Sequence, residues 1–433
     1  MRILLANDLF RDAGGVQSYL DAVAAGLATR GHTLAILHRD ATPAPSAAAA
    51  TRGLPQFSVA VDGIEPTLDR VARWAPDICF SHNMDILDID RALISRWPVV
   101  KFMHGYLGTC IGGQKRHGFP IAQPCDRRFG VACLALYGPR HCGELKPGTF
   151  ARQYRWAREQ HALLPRYRAI VVASEHMNRE FVRNGVPPSQ IHVNALFPTH
   201  TQSLDRRVQT AFAPSAPRRV SPELANESSE GRRKDPAYTS SVDADWTVAF
   251  VGRMTVLKGG DLLVRAIAAA SATLNRTIRL VLIGDGPQRL VWERLASDRG
   301  VPCTSLGWLA GDDRWTWLRR VNLIAVPSTW PEPFGLVGLE AAAFGIPAVA
   351  FDVGGIREWL RPGVNGLLVP ANPPRAAAFA DTLVRMLADP AELNAMGSRA
   401  IAVAREMSLD RHLERLEAIL APHVRPHAHS ARR

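Results

Sequence analysis

Two glutamates with seven residues between them, Glu332 and Glu340, frame the segment Pro331-Glu332-Pro333-Phe334-Gly335-Leu336-Val337-Gly338-Leu339-Glu340-Ala341. It follows an apolar run ending at Val326-Pro327-Ser328 and opens a helical pattern. The amides near Gly335, Leu336 and Val337 therefore stand at a helix N-terminus, without intrahelical acceptors and at the positive end of the dipole, which suits an anion such as a diphosphate. At about 1.5 Å of rise per residue, the helical part of the spacing separates the two carboxylates by roughly 9 Å. One can then hold hydroxyls at one end of a ligand while the other holds hydroxyls at the far end. The blander alternative is an acid favoured by the helix dipole followed by a solvated helical Glu.

A second cluster points to the same chemistry. Gly252-Arg253-Met254-Thr255-Val256-Leu257-Lys258-Gly259-Gly260 lies between a strand pattern and a helix pattern, so Arg253 and Lys258 fall at the carboxyl edge of a sheet, where two cations suit a leaving diphosphate. The spacing is not that of a Walker A loop, which needs Gly-Lys followed by Ser or Thr. Gly284-Asp285-Gly286-Pro287 is a third strand-to-helix turn, with Pro287 acceptable at the first helical position. It lacks the third glycine of a dinucleotide fingerprint, and no acid stands near position 304, so a nicotinamide enzyme is disfavoured.

Two further groups could bind metal. Asp88-Ile89-Asp90 falls within the pattern Met84 to Trp97, which reads as an amphipathic helix rather than a carboxylate pair. Cys110, Cys125, Cys133 and Cys142 lack zinc-ribbon spacing, although His104, His117 and His141 lie nearby. Reduced thiols are the expectation there, with a structural zinc or a redox-sensitive pair as the alternatives.

These residues must be positioned by alternating strands and helices. A strand from Arg2 to Ala6, an amphipathic stretch from Val16 to Arg30 and a strand from Thr33 to His38 form a βαβ unit, which closes right-handed into a parallel sheet. Further strands are expected at Ile78 to Ser81, Val99 to His104, Ala169 to Ala173 and His192 to Leu196. A second series runs through Thr247 to Gly252, Arg279 to Gly284, Leu323 to Pro327, Ala348 to Phe351 and Gly366 to Val369. The fold class expected is α/β, with two doubly wound Rossmann-like domains facing across a cleft. They span residues 1–200 and 246–404. A low-complexity linker or insert covers 201–245, residues 42–50 form a smaller loop, a last helix covers 405–420, and a basic tail covers 421–433.

Together the motifs resemble the donor domain of the retaining glycosyltransferases of family 4 (group 1), which have the GT-B fold. The resemblance covers nearly the whole chain. Asp12-Ala13-Gly14-Gly15-Val16 resembles the N-terminal glycine loop of that family, and Val100-Lys101-Phe102-Met103-His104-Gly105 its acceptor-domain histidine segment. Ala173-Ser174-Glu175 matches the strand end that closes that domain, and the segment from Met407 to Leu420 resembles the helix that crosses back onto the first domain. The resemblance implies that Arg253 and Lys258 neutralise the donor diphosphate. It further implies that Glu332 holds sugar hydroxyls, that the amides of Phe334, Gly335 and Leu336 hold the phosphate or sugar, and that Glu340 holds the ribose. Gly14, Gly15 and Gly284 would border the donor. His104 would contact the transferred sugar and help orient the acceptor, and a base would lie near Gly307-Trp308-Leu309. Transfer with retention, by front-side attack and with no divalent metal or other cofactor, is the implied chemistry.

Composition sets the remaining bounds. At 433 residues, 47% hydrophobic and 21% charged, the chain is a soluble globular protein of two or three domains. The segment from Met1 to Asp8 turns polar too soon for a secretion signal, and six cysteines are too few for a disulfide scaffold, so the expected location is the cytoplasm. The net charge of +12 is concentrated, since residues 101–170 hold 12 Lys+Arg against 3 Asp+Glu. Arg152, Arg155, Arg158, Arg166 and Arg168 belong to that segment. A solvated basic helix is one reading. An anionic acceptor such as a polyprenyl-diphosphate-linked glycan, met peripherally at the inner membrane face, is the sharper one. A phosphorylase or epimerase on the same scaffold, or a basic nucleic-acid-binding protein, are the alternative functions.

Overall fold

The computed structural model describes residues 1–8, 15–40, 53–143, 147–199, 246–309 and 311–424. Gly14, the 42–50 loop, the 201–245 insert and the tail beyond residue 424 lie outside the described residues. The chain divides into two compact units, one containing Met1–Pro120, Cys125–Thr199 and the chain from Met407 onward, the other Ile121–Pro124 and the chain as far as Glu406.

The first unit is built on seven strands: β1 (Arg2–Ala6), β2 (Thr33–His38), β3 (Gln56–Ser58), β4 (Ile78–Ser81), β5 (Val99–Met103), β6 (Ala169–Val172) and β7 (Ile191–Val193). Their order is β3-β2-β1-β4-β5-β6-β7, every ladder parallel. β4, β5 and β6 are buried from end to end, which their continuous apolar runs require when helices cover both faces of a parallel sheet. The helix Gly15–Thr29 joins β1 to β2 and buries Tyr19, Leu20, Val23, Ala24 and Leu27, one apolar stripe at helical spacing.

The helix Leu409–Leu420 also belongs to this unit. Ser408 caps it, its hydroxyl accepting from the amide of Arg411, and its buried face carries His412, Leu413, Leu416, Ile419 and Leu420. It packs against Gly15–Thr29, where Gly26 allows close approach: a Cβ there would lie 2.3 Å from Leu413 Cδ1. Arg30 and His32 fasten the same helix through Glu417, at 3.1 and 2.7 Å.

The second unit holds β8 (Trp246–Val251), β9 (Ile278–Ile283), β10 (Cys303–Ser305), β11 (Leu323–Val326), β12 (Ala348–Phe351) and β13 (Gly366–Val369), ordered β10-β9-β8-β11-β12-β13 and all parallel. Both sheets are therefore doubly wound. The strand order reverses between β1 and β4 in one and between β8 and β11 in the other, the positions where such sheets bind ligands.

Three local expectations are corrected. The edge strands β3 and β10, each of three residues, were not expected from the sequence, being too short to show a period. The strand expected over His192 to Leu196 is Ile191–Val193. The helix after Gly284-Asp285-Gly286 begins at Arg289 rather than Pro287, and the amide of Gln288 bonds to the carbonyl of Met254 at 3.0 Å.

Candidate active site

In the second unit, Glu332 and Lys258 meet at the strand-order reversal. Lys258 follows β8 at the end of a short 3-10 turn, and Gly259 beyond it takes a φ of 63°. A Cβ on Gly259 would lie 2.1 Å from the carbonyl oxygen of Pro327, so this glycine lets the turn press against the end of β11. Glu332 lies on the loop leaving β11. Three donors converge on its Oε1: Lys258 Nζ at 2.6 Å, Ser328 Oγ at 2.5 Å and Trp330 Nε1 at 3.0 Å. Its carbonyl accepts the amide of Gly355 at 2.7 Å. The carboxylate is buried, at 4% exposure for the residue, yet among the described residues no donor reaches Oε2. One oxygen thus fixes the side chain.

The sequence reading assigned Lys258 to a phosphate and Glu332 to a sugar as separate tasks, whereas the structure joins them in one ion pair. Ser328 and Trp330 went unnoticed, although a hydroxyl four residues before the glutamate and an indole two before it were legible as donors. Lys258 Nζ also lies 5.5 Å from the ring centroid of Trp330.

The helix Leu336–Ala343 starts where the sequence placed it. Gly335 is its N-cap at φ 80°, with no side chain to occupy the first amides. Phe334 is buried, and its carbonyl accepts Trp359 Nε1 at 2.8 Å, tying the loop to the core. Glu340 lies on this helix, buried, with its Oε2 3.7 Å from Arg314, a cation that sequence reasoning did not single out. Arg253 is exposed, and among the described residues its guanidinium makes no hydrogen bond or ion pair. Gly284 takes a φ of 132° and passes against the backbone of Gly252, where a Cβ would lie 2.1 Å from the carbonyl oxygen. Its amide bonds to the carbonyl of Gly307 at 2.7 Å, and Trp308 beside it is 61% exposed.

In the first unit, Gly15 opens its helix and is exposed. His104 stands one residue beyond β5, half-buried, with Nε2 3.0 Å from Nδ1 of His82 at the end of β4. Burial, reinforced by the nearby Lys101 charge, pushes His104 down to about 3, so it is a neutral imidazole. Tyr19 packs edge-on against His104, and its hydroxyl bonds to His412 Nε2 at 2.9 Å. Sequence reasoning missed His82; its signal was a second histidine at a strand end on the adjacent strand.

The carboxylates of Asp88 and Asp90 serve different partners. Asp88 is exposed and pairs with Arg91 at 2.5 Å, while Asp90 is buried and takes Lys101 Nζ at 2.6 Å and the hydroxyls of Ser81 and Tyr167. Cys110, Cys125, Cys133 and Cys142 line one small cavity, together with Lys115, His117 and Tyr137. This cavity contains none of the residues assigned to transfer. Burial, with the neighbouring thiols adding to it, raises Cys142 to about 11, so its thiol is protonated at neutral pH. All four are free, and among the described residues no three His, Cys, Asp or Glu side chains are arranged to hold a metal ion. Among the described residues no helix is long and apolar enough to cross a membrane. Arg152, Arg155, Arg158, Arg166 and Arg168 are all exposed.

Comparison with known proteins agrees with this architecture. The family model described as Glycosyl transferases group 1 matches residues 232–403, and that described as Glycosyltransferase Family 4 matches residues 13–194. A D-inositol 3-phosphate glycosyltransferase of Nocardia farcinica is 39% identical over 166 residues, 36% of this chain and 36% of that protein. One of Salinispora arenicola is 41% identical over 157 residues, 33% of this chain and 34% of that protein. These matches thus span about a third of the curated relatives' length. Among solved structures, the sucrose-phosphate synthase of Thermosynechococcus elongatus superposes with a TM-score of 0.67 at 20% identity, covering 97% of this chain and 98% of that one. Anabaena HepE in complex with UDP-glucose gives 0.63 at 19% identity, over 98% of this chain and 100% of that one. With the two family models matching one segment in each unit, the chain belongs to the group 1, family 4 glycosyltransferases of GT-B fold.

Proposed function

We propose that this protein transfers a sugar from a nucleotide-sugar donor to an acceptor, with retention at the anomeric carbon. The observation that carries the reading is Glu332, held by three donors on Oε1 with Oε2 left for sugar hydroxyls, beside a lysine with further N–H groups to offer. Arg253, Lys258 and the amides at Gly335 and Leu336 stabilise charge building on the departing diphosphate, and Glu340 takes the ribose. The bond from the anomeric carbon to the phosphate oxygen breaks as the acceptor oxygen bonds to the same face of that carbon, and the departing phosphate oxygen receives the acceptor's proton. His104, kept neutral, orients the sugar and acceptor. Charge neutralisation comes from side chains and amides, so no divalent metal is called for, and activity is expected to survive EDTA.

The acceptor is anionic on this reading, because the exposed arginines of the 101–170 segment carry the excess charge. The names of the relatives, D-inositol 3-phosphate glycosyltransferases, fit a phosphorylated acceptor. The test is a panel of sugar nucleotides that includes UDP-glucose, scored by release of nucleoside diphosphate with and without D-inositol 3-phosphate. Release from at least one donor, with product of unchanged anomeric configuration, supports the reading. A panel with no release overturns it.

A further inference from the structure

His82 is fully buried, and its two ring nitrogens differ: Nδ1 faces His104 Nε2 at 3.0 Å, while among the described residues Nε2 has no hydrogen-bond partner. The rings of Phe80, Phe102 and Tyr19 surround it, with centroids at 4.4, 5.9 and 5.8 Å. The Tyr19 hydroxyl is engaged by His412 Nε2 at 2.9 Å, and His412 Nδ1 donates to the carbonyl of Ala195 at 2.8 Å. Only one proton can lie between His82 and His104. If His104 Nε2–H donated it, a neutral His82 would carry its own proton on Nε2 and bury an N–H without an acceptor. If His82 Nδ1–H donates it, the unpartnered atom is a lone pair. Orphaned buried N–H groups are the rarer and costlier of the two.

We propose that His82 is a positioning residue: it donates Nδ1–H to His104 Nε2 and locks His104 in the Nδ1–H tautomer, so that His104 offers a ligand a hydrogen-bond donor. The groups facing His82 oppose its protonation. Burial comes first, then His104 just beyond β5, Lys101 on β5 and His412 from the Leu409–Leu420 helix, while Lys101 is itself paired with Asp90 at 2.6 Å. A neutral His82 cannot donate from both nitrogens, so the choice is forced. The tautomer is independent of what His104 touches; its consequence for transfer rests on the reading of His104 as facing the sugar, where a donor would grip a hydroxyl oxygen.

The test is long-range ¹H–¹⁵N correlation of the histidine-labelled full chain, with the His104 signals identified by their loss in His104→Gln. The expected result is His104 protonated on Nδ1 in the wild type and in His82→Asn, whose amide nitrogen takes the place of Nδ1, with that preference lost in His82→Leu. Donor turnover should fall about tenfold in His82→Leu, the loss of one hydrogen bond, and return to within about threefold in His82→Asn. A wild-type His104 protonated on Nε2 overturns the proposal whether or not the variants fold, as does an unchanged tautomer in a folded His82→Leu. A wild type with the expected tautomer but no turnover would leave His82 in this role and remove the transferase reading.

Discussion

Lys258 and Glu332 are 74 residues apart in sequence and 2.6 Å apart in space. They meet because β8 and β11 are neighbours at the reversal of strand order, so the turn after one strand reaches the loop after the other. The lysine neutralises a buried carboxylate, and on the proposed function it also keeps cationic N–H groups beside the donor's phosphates.

Removing the lysine should therefore cost stability as well as activity. Lys258→Met leaves the buried Glu332 carboxylate with two neutral donors, and a loss of about 2–4 kcal/mol in unfolding free energy is expected from chemical denaturation. Glu332→Gln should be milder, because a neutral amide can still accept on one atom. Equal stability of Lys258→Met and the wild type would contradict the pairing.

Gly335 caps its helix at φ 80°, and a Cβ there would lie 2.5 Å from Ile356 Cδ1. Gly335→Ala is expected to destabilise the second unit by about 1–3 kcal/mol, from backbone strain plus displacement of Ile356. A denaturation midpoint unchanged from wild type would show that this turn does not hold the described conformation.

Acid should weaken the first unit as the pH falls below about 6.5. Burial lowers His412 and His176 to about 4 and His104 to about 3, from an ordinary 6.5, and lowers His82 as well. Below pH 6.5 the unfolded chain takes up protons that the native state refuses, so stability falls as the pH drops from about 6.5 toward 4. Asp8, raised to about 6 by burial and Asp85, works in the opposite direction over part of that range. For His412 alone the full effect is on the order of 3 kcal/mol. His412→Asn, which can still donate to Ala195, should flatten the fall of melting temperature with pH; an identical slope would contradict the assignment.

The cysteines around the cavity should be sluggish nucleophiles. With Cys142 at about 11 and Cys125 also raised by burial, their thiolates are scarce at pH 7.5. Thiol–disulfide reagents are expected to react more slowly with them in the native protein than after denaturation. Faster reaction in the native state would point to an activated thiol.

What the sequence made legible was local. The strand-to-helix turns that carry Lys258 and Glu332 each had a recognisable apolar run before them and a helical period after, and β1, β2, β4, β12 and β13 have the predicted limits. Their pairing was hidden because it depends on strand order, which hydrophobic periodicity does not encode. Arg314 was hidden for the same reason: nothing in Asp313-Arg314 identifies Glu340, 26 residues on, as its partner. His82 and His104 were each visible as strand-end histidines, but only the parallel register of β4 against β5 brings their rings into contact.

Nucleoside diphosphate release by the wild type, Glu332→Gln and Lys258→Met, each confirmed as folded, tests the central claim most directly. We predict turnover of at least one sugar nucleotide by the wild type and a fall of about 10²–10³ in both variants, the scale expected when a transition-state charge partner is removed. Wild-type rates in either folded variant, or no turnover of any donor by the wild type, would contradict the account.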